Sequence, residues 1–304
     1  MKKNRTRKLL KKNPIIYFFG SRLLQKIRDI KRAILIYCYP SGNYMNCNGV
    51  DVFCDFNNEN FYWYEGDKEN LGLDKKVISY LLTQANGNIF LDIGAHFGFF
   101  SAFLSEELAK KKNYVSVIAI EPDLSNFNCL NKTMARYKSP YVEFAGLLSA
   151  ISNKDGTLKM YKSDQPCIHS YEDAGSKLYS EINSITLDSL VSEFKKSDKL
   201  ALVKIDIDGS EPLFFQGGKK ALKNHDPIIF IEFAPVYLAA FGVNVHDYFE
   251  NLCANYNIYW VSYHSNEIKK VDSNDLDYIV HTVGNKVTDF VLSTKELSFE
   301  NLTL

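Results

Sequence analysis

No Cys-x-x-Cys pair occurs among the six cysteines, Cys38, Cys47, Cys54, Cys129, Cys167 and Cys253, and no histidine spacing pairs with them to complete a zinc site. Reduced thiols are the expectation, which sets aside a disulfide-stapled secreted module. No apolar run reaches the roughly 18 residues needed to span a bilayer. Neither Ile15 to Phe19 nor Ala33 to Tyr39 is followed by the small-residue cleavage site of a signal peptide, so a cytoplasmic location is expected. Proline is scarce, at 8 of 304 residues, and no internal repeat is visible. With 46% hydrophobic residues the chain can bury a sizeable core, and a globular α/β protein of one main domain is the natural class.

Net charge is also lacking, with 36 basic and 36 acidic residues, but the balance conceals a segregation. Residues 1–32 hold twelve Lys or Arg against the single acid Asp29, which leaves the remainder with 24 basic and 35 acidic residues. After Asn13 and Pro14, a plausible N-cap and first helical residue, Ile16, Phe19, Leu23, Ile27, Ile30 and Ile34 recur every three or four positions. This predicts a basic amphipathic helix to about Cys38, ended by Pro40. Its apolar seam would dock on its own domain or a partner subunit, or lie on an anionic membrane surface at the inner face. Nucleic acid is not an expected partner, because aromatic and basic residues are not interleaved as on a stacking platform.

Residues 44–66, rich in Tyr, Phe, Val and Trp, predict two or three short strands, and Val77, Ile78, Leu81 and Leu82 a short helix. From Ile89 onward strand and helix alternate. Strands are expected at Ile89 to Leu91, Val115 to Ile120, Val142 to Leu148, Leu200 to Ile207, Ile228 to Phe233, Tyr259 to Tyr263 and Asp289 to Ser293, with helices from Leu124 to Arg136 and Glu211 to Lys223 between them. A polar stretch from Ser152 to Ser184 interrupts the pattern, with only Thr157 to Tyr161 strand-like. Such alternation predicts a doubly wound, mostly parallel, seven-stranded sheet with helices on both faces. The expected division is 1–40 basic helix, 41–86 hairpin extension and 87–304 catalytic domain.

The chemistry concentrates at strand ends. Asn88 to Gly98 reads as strand, glycine turn and helix start, with Asp92 just before Gly94. A dinucleotide site turns such glycines toward a pyrophosphate, which a carboxylate would repel; a cationic ligand suits Asp92 better. Glu121, 27 residues after Gly94 at the end of the second core strand, is where a ribose diol is held. Ser149 and Ala150 follow the third, where an adenine ring would be edged. Period-two spacing puts Lys204, Asp206 and Asp208 on one side of the fourth strand and its exit, with Glu211 following and Glu232 at the end of the fifth. Buried without partners these acids would be costly, so they are expected to line the crevice, as ligand groups, a salt-bridge network or a divalent-metal site.

The blocks Leu-Asp-Ile-Gly-Ala-His-Phe-Gly, Ile-Glu-Pro at 120–122, Ser-Ala-Ile-Ser-Asn-Lys-Asp-Gly at 149–156, Ile-Thr-Leu-Asp at 185–188, Lys-Ile-Asp-Ile-Asp-Gly-Ser-Glu at 204–211, Gln-Gly-Gly at 216–218 and Ile-Glu-Phe at 231–233 stand in order. Together they resemble the FkbM family of S-adenosylmethionine-dependent methyltransferases. The resemblance implies a class I, Rossmann-like methyltransferase acting on hydroxyls of sugars, glycolipids or other natural products. It implies that Asp92, Gly94 and Gly98 meet the methionine half of the cofactor, with Ala95 and His96 in the same turn. Glu121 and Pro122 would meet its ribose, and Ser149 and Ala150 its adenine. Asp206, Asp208 and Glu211 would face the methyl and the acceptor. His96 stands where the family more often has asparagine, and Asp208 where it more often has glutamate. On this reading Asp206 or Asp208 takes the acceptor proton, holds a divalent ion or contacts the cofactor ammonium, with Glu211 and Glu232 orienting the acceptor.

Overall fold

The computed structural model describes residues 26, 28–58, 68–162, 169–170, 179–300 and 302. Residues 28–38 are helical. A hairpin follows, β1 (Asn43–Cys47) and β2 (Val50–Cys54), and then a helix over Lys68–Gln84, much longer than the apolar cluster at 77–82 predicts. The expected helix start at Asn13 and Pro14, the seam residues Ile16 to Ile27 and any strand at 59–66 lie outside the described residues.

β3 (Ile89–Ile93) is buried along its whole length, as its unbroken apolar run dictates, and leads through a turn into the helix Phe99–Lys110. β4 (Val115–Ile120), the helix Leu124–Met134 and β5 (Val142–Leu147) extend the alternation. Asp123 caps that helix by accepting from the Asn126 amide. The polar stretch forms more structure than its composition predicts. β6 (Ala150–Ile151), β7 (Gly156–Lys162), β8 (His169–Ser170) and β9 (Tyr179–Ile185) make a second, four-stranded sheet in the order β6-β9-β7-β8. β9 exposes most of its residues, so apolar patterning hardly marks it.

β10 (Leu200–Ile205) is entirely buried and ends two residues before the predicted limit. The predicted helix from Glu211 is two helices, Glu211–Gly217 and Lys219–His225, broken at Gly218. There the chain passes so close to β6 that a Cβ on Gly217 would lie 2.2 Å from the Ser152 carbonyl. β11 (Ile228–Phe233), β12 (Asn257–Ser262), β13 (Glu267–Val271) and β14 (Thr288–Ser293) complete the main sheet.

Its order is β13-β12-β14-β11-β10-β3-β4-β5, eight strands among the described residues rather than seven. The pairs from β5 to β11 are parallel, and those joining β11, β14, β12 and β13 are antiparallel. The extra strand is β13, Glu-Ile-Lys-Lys-Val, a charged edge strand whose lysines guard its open side and hide it from a hydrophobicity reading. One core joins the hairpin, the Lys68–Gln84 helix and one sheet face through Val50, Leu81, Phe90 and Phe230; the other lies on the opposite face around Val203, Phe214 and Phe249. Segment 41–86 therefore shares its core with the sheet. The chain winds outward through β3, β4 and β5 and then returns to β10 on the other side of β3, so the topological switch point lies between β3 and β10. Among the described residues no helix is long and apolar enough to cross a membrane.

Candidate active site

At the switch point the turn after β3 meets the exit of β10. Gly94 has φ +74°, and a Cβ there would lie 1.8 Å from the Asp206 carbonyl oxygen. Gly98, at φ +88°, would place a Cβ 2.6 Å from Leu130 Cδ1. The sequence reading gave these glycines to the approach of a ligand; the chain's own packing already demands both. His96 adopts φ +53° and its ring stacks on Phe97 at 4.2 Å. Its amide donates to Glu121 Oε2 at 2.8 Å, and the Ala95 amide to the Ile120 carbonyl at 3.1 Å. Glu121 also accepts from the Asp123 amide and from Asn126 Nδ2, so the carboxylate expected at a ribose ties the glycine turn to the end of β4. Burial pushes its pKa up to about 7 in spite of these three donors. Pro122 follows, partly exposed. Ser149 donates to the Ala150 and Asn183 carbonyls, and Ala150 is buried in β6.

Asp92 does not face an open crevice. It is 0% exposed; Ser101 Oγ donates to its Oδ2 at 2.6 Å, and Lys204 Nζ lies 3.6 Å from its Oδ1. Lys204 and Asp92 are register partners on β10 and β3, so the first cation Asp92 meets belongs to the chain. Lys204 is itself buried, donates to the Gly94 carbonyl and Asp206 Oδ2, each at 3.2 Å, and lies over the Phe100 ring. Burial alone would depress its pKa, but Asp206 and Asp92 outweigh that and hold it above the usual lysine range.

The carboxylates that retain access are Asp206, Asp208 and Glu232. Strand alternation is not what joins the first two, because β10 stops at Ile205. Asp208 takes φ +52° and Gly209 φ +99°, and this left-handed turn folds Asp208 back beside Asp206. One oxygen from each of Asp206, Asp208 and Glu232 lies within 4.8 Å of the others, a donor set of the kind that takes a hard divalent cation. Burial first, then repulsion from Asp206 and Glu211, raises the Asp208 pKa well above the ordinary range; Glu232 is raised by burial, Asp206 and Asp208, with Asp289 on β14 adding to it. Glu211 is placed differently from its expected position beside the acceptor. It is buried, and its Oε1 accepts from the Ile207 and Gly209 amides, so it holds the turn that carries Asp208. Burial lifts its pKa to about 7. Ser101 and Asn126, which fix Asp92 and Glu121, carry no signal in the sequence that would have singled them out.

A pH dependence follows. The folded chain keeps protons on Glu121 and Glu211 up to about pH 7, whereas the unfolded chain releases them near 4.5. Stability from these groups is complete below the lower value and is lost as pH rises through the upper one. Chemical denaturation is expected to give a less stable protein at about pH 8 than at about pH 5, by on the order of 1–3 kcal/mol per carboxylate. Glu211→Gln, which preserves the acceptor oxygen, should flatten that slope.

A doubly wound sheet with carboxylates at the ends of β3, β4, β10 and β11, gathered around its switch point, is the arrangement of a class I methyltransferase fold. Residues 92–259 match the methyltransferase FkbM domain, and the chain belongs to that family. S-adenosylmethionine is accordingly its cofactor. Among solved structures it is similar to methyltransferase FkbM from Methylobacillus flagellatus KT, at 16% identity and TM-score 0.42, over 68% of this chain and 43% of that one. This chain thus spans less than half the length of that protein. It is also similar to the O-methyltransferase TomG from Streptomyces achromogenes in complex with SAM (15% identity, 73% of this chain and 80% of that chain, TM-score 0.41). A third similar structure is the plantazolicin methyltransferase BpumL in complex with SAH (11% identity, 77% and 88%, TM-score 0.40). No functionally curated sequence matches this one.

Proposed function

We propose that the chain is an O-methyltransferase whose acceptor is a hydroxyl of a sugar, glycolipid or other small natural product, with Asp208 or Asp206 taking the hydroxyl proton. The observation that carries this reading is the contact between Gly94 and the Asp206 carbonyl, which gives the glycine turn and the acidic cluster one common wall. The donor set fits a cationic cofactor. Asp206, Asp208 and Glu232 crowd together with Lys204 as their near cation, and Glu232 Oε2 is a buried oxygen with no hydrogen-bond partner among the described residues. When bound, S-adenosylmethionine supplies an electrophilic methyl group on a sulfonium. Gly94, Ala95, His96 and Gly98 would then form the turn beside its methionine half, with Asp92 behind them holding Lys204. Glu121 and Pro122 would border the ribose, and Ser149 and Ala150 the adenine.

An alcohol is a weak nucleophile while protonated, and a carboxylate with a raised pKa is suited to removing its proton as the new bond forms. Asp208 meets that requirement, and Glu211 would fix its turn. A divalent ion on Asp206, Asp208 and Glu232 would serve the same end by acidifying the hydroxyl. Thermal-shift titration tests the assignment. S-adenosylhomocysteine at about a hundred times its Kd should stabilise the protein by roughly 2.7 kcal/mol, and nicotinamide dinucleotide should not. A methylated product from a sugar panel, formed equally with and without chelator, would favour the carboxylate base over the metal. Binding without product from any hydroxyl acceptor would favour a non-catalytic cofactor-binding subunit.

A further inference from the structure

The helix at 28–38 docks by the face opposite to the one its apolar periodicity predicts. Leu35 and Ile36 pack on the core beneath the hairpin. Arg32 reaches down the same side, donating from Nε to the Phe56 carbonyl at 2.8 Å and from Nη2 to the Asn57 carbonyl at 2.6 Å. Ile30, Ile34 and Tyr37, spaced i, i+4 and i+7 on the other side, are 62%, 57% and 89% exposed. The seam that begins in the sequence at Ile16 therefore ends, where it is described, as an outward apolar stripe on an anchored helix. In the sequence, residues 1–32, which include the start of this helix, carry twelve cations and one acid, on a protein otherwise acidic by eleven charges.

We infer that this stripe is a docking surface for an anionic lipid bilayer. An apolar stripe flanked by lysine and arginine lies in the plane of the headgroups, its side chains in the acyl boundary and its cations against acidic lipid. A second copy of the chain fits less well, because pairing the two stripes would bring together two segments that each carry twelve cations and only one acid, Asp29. The anchored side, Arg32 on the backbone of Phe56 and Asn57, would hold the catalytic domain at a constant orientation to the membrane.

Co-sedimentation of the full chain with phosphatidylcholine vesicles, with and without phosphatidylserine, tests this. Binding is expected only with phosphatidylserine and should weaken as salt is raised. The double variant Ile30→Ser, Ile34→Ser should lose at least about tenfold in vesicle affinity. Its melting temperature should change little, because more than half of each side chain is already in solvent. Three results would overturn the inference: no binding to acidic vesicles, binding that the double variant retains, or a concentration-dependent dimer in sedimentation that the double variant abolishes. The last would assign the stripe to a second copy.

Discussion

Asp208→Asn is expected to slow methyl transfer by about 10²–10⁴-fold, the usual worth of a positioned general base. The substitution is nearly isosteric, and asparagine is among the few residues that accept the left-handed backbone which Asp208 adopts at φ +52°. The turn through Gly209 should therefore survive, and with it the hydrogen bonds from Ile207 and Gly209 to Glu211. Stability should hold or rise, because burial and the neighbouring Asp206 and Glu211 make the charged form of Asp208 costly in the fold. A slow enzyme of undiminished stability that still shifts with S-adenosylhomocysteine is the signature of a lost base rather than a lost fold. The pH profile adds a second readout. The wild-type rate should climb as the raised Asp208 carboxyl ionises, and the variant should lose that limb. Turnover within about threefold of wild type would instead remove Asp208 from proton transfer and direct attention to Asp206→Asn.

Gly94→Ala should be the most damaging added methyl group among the described glycines, costing about 3–5 kcal/mol or preventing folding. Two penalties coincide there. An L side chain at φ +74° carries roughly 1–2 kcal/mol of backbone strain, and overpacking adds about 1–3 kcal/mol or more. The new Cβ would sit 1.8 Å from the Asp206 carbonyl, which is backbone at the end of a buried strand and cannot swing aside as a side chain would. Gly242 is the control, since it has φ +70° but nothing within 4 Å of its would-be Cβ. Gly242→Ala should therefore cost only the backbone share, about 1–2 kcal/mol. Urea denaturation of the two variants separates the contributions, and equal midpoints would mean that the β3 turn and the β10 exit are not pressed together.

The consequence for function is direct. If Gly94 and Asp206 share one wall, a variant that separates them should also impair cofactor binding, which thermal shift would register on whatever fraction folds. Asp92 is implicated differently. The cation its carboxylate meets is Lys204 on the neighbouring strand, part of the chain itself. The carboxyl groups that remain accessible belong to Asp206, Asp208 and Glu232.

Local pattern alone was enough to specify β3, β4, β5, β10 and β11, the glycine turn, the positions of the acids at strand ends and, through their joint order, the family. Those features repeat within a few residues, where burial and backbone geometry leave periodic marks. The pairing of Asp92 with Lys204, the left-handed fold-back of Asp208, the capture of Glu211 by backbone amides and the outward stripe of Ile30 and Ile34 were decided only in three dimensions. The first depends on which strands become neighbours and in what register, and pairing between segments more than a hundred residues apart leaves no periodicity in either one. The others depend on single backbone torsions and on which side of an element packs inward, and neither repeats along the chain.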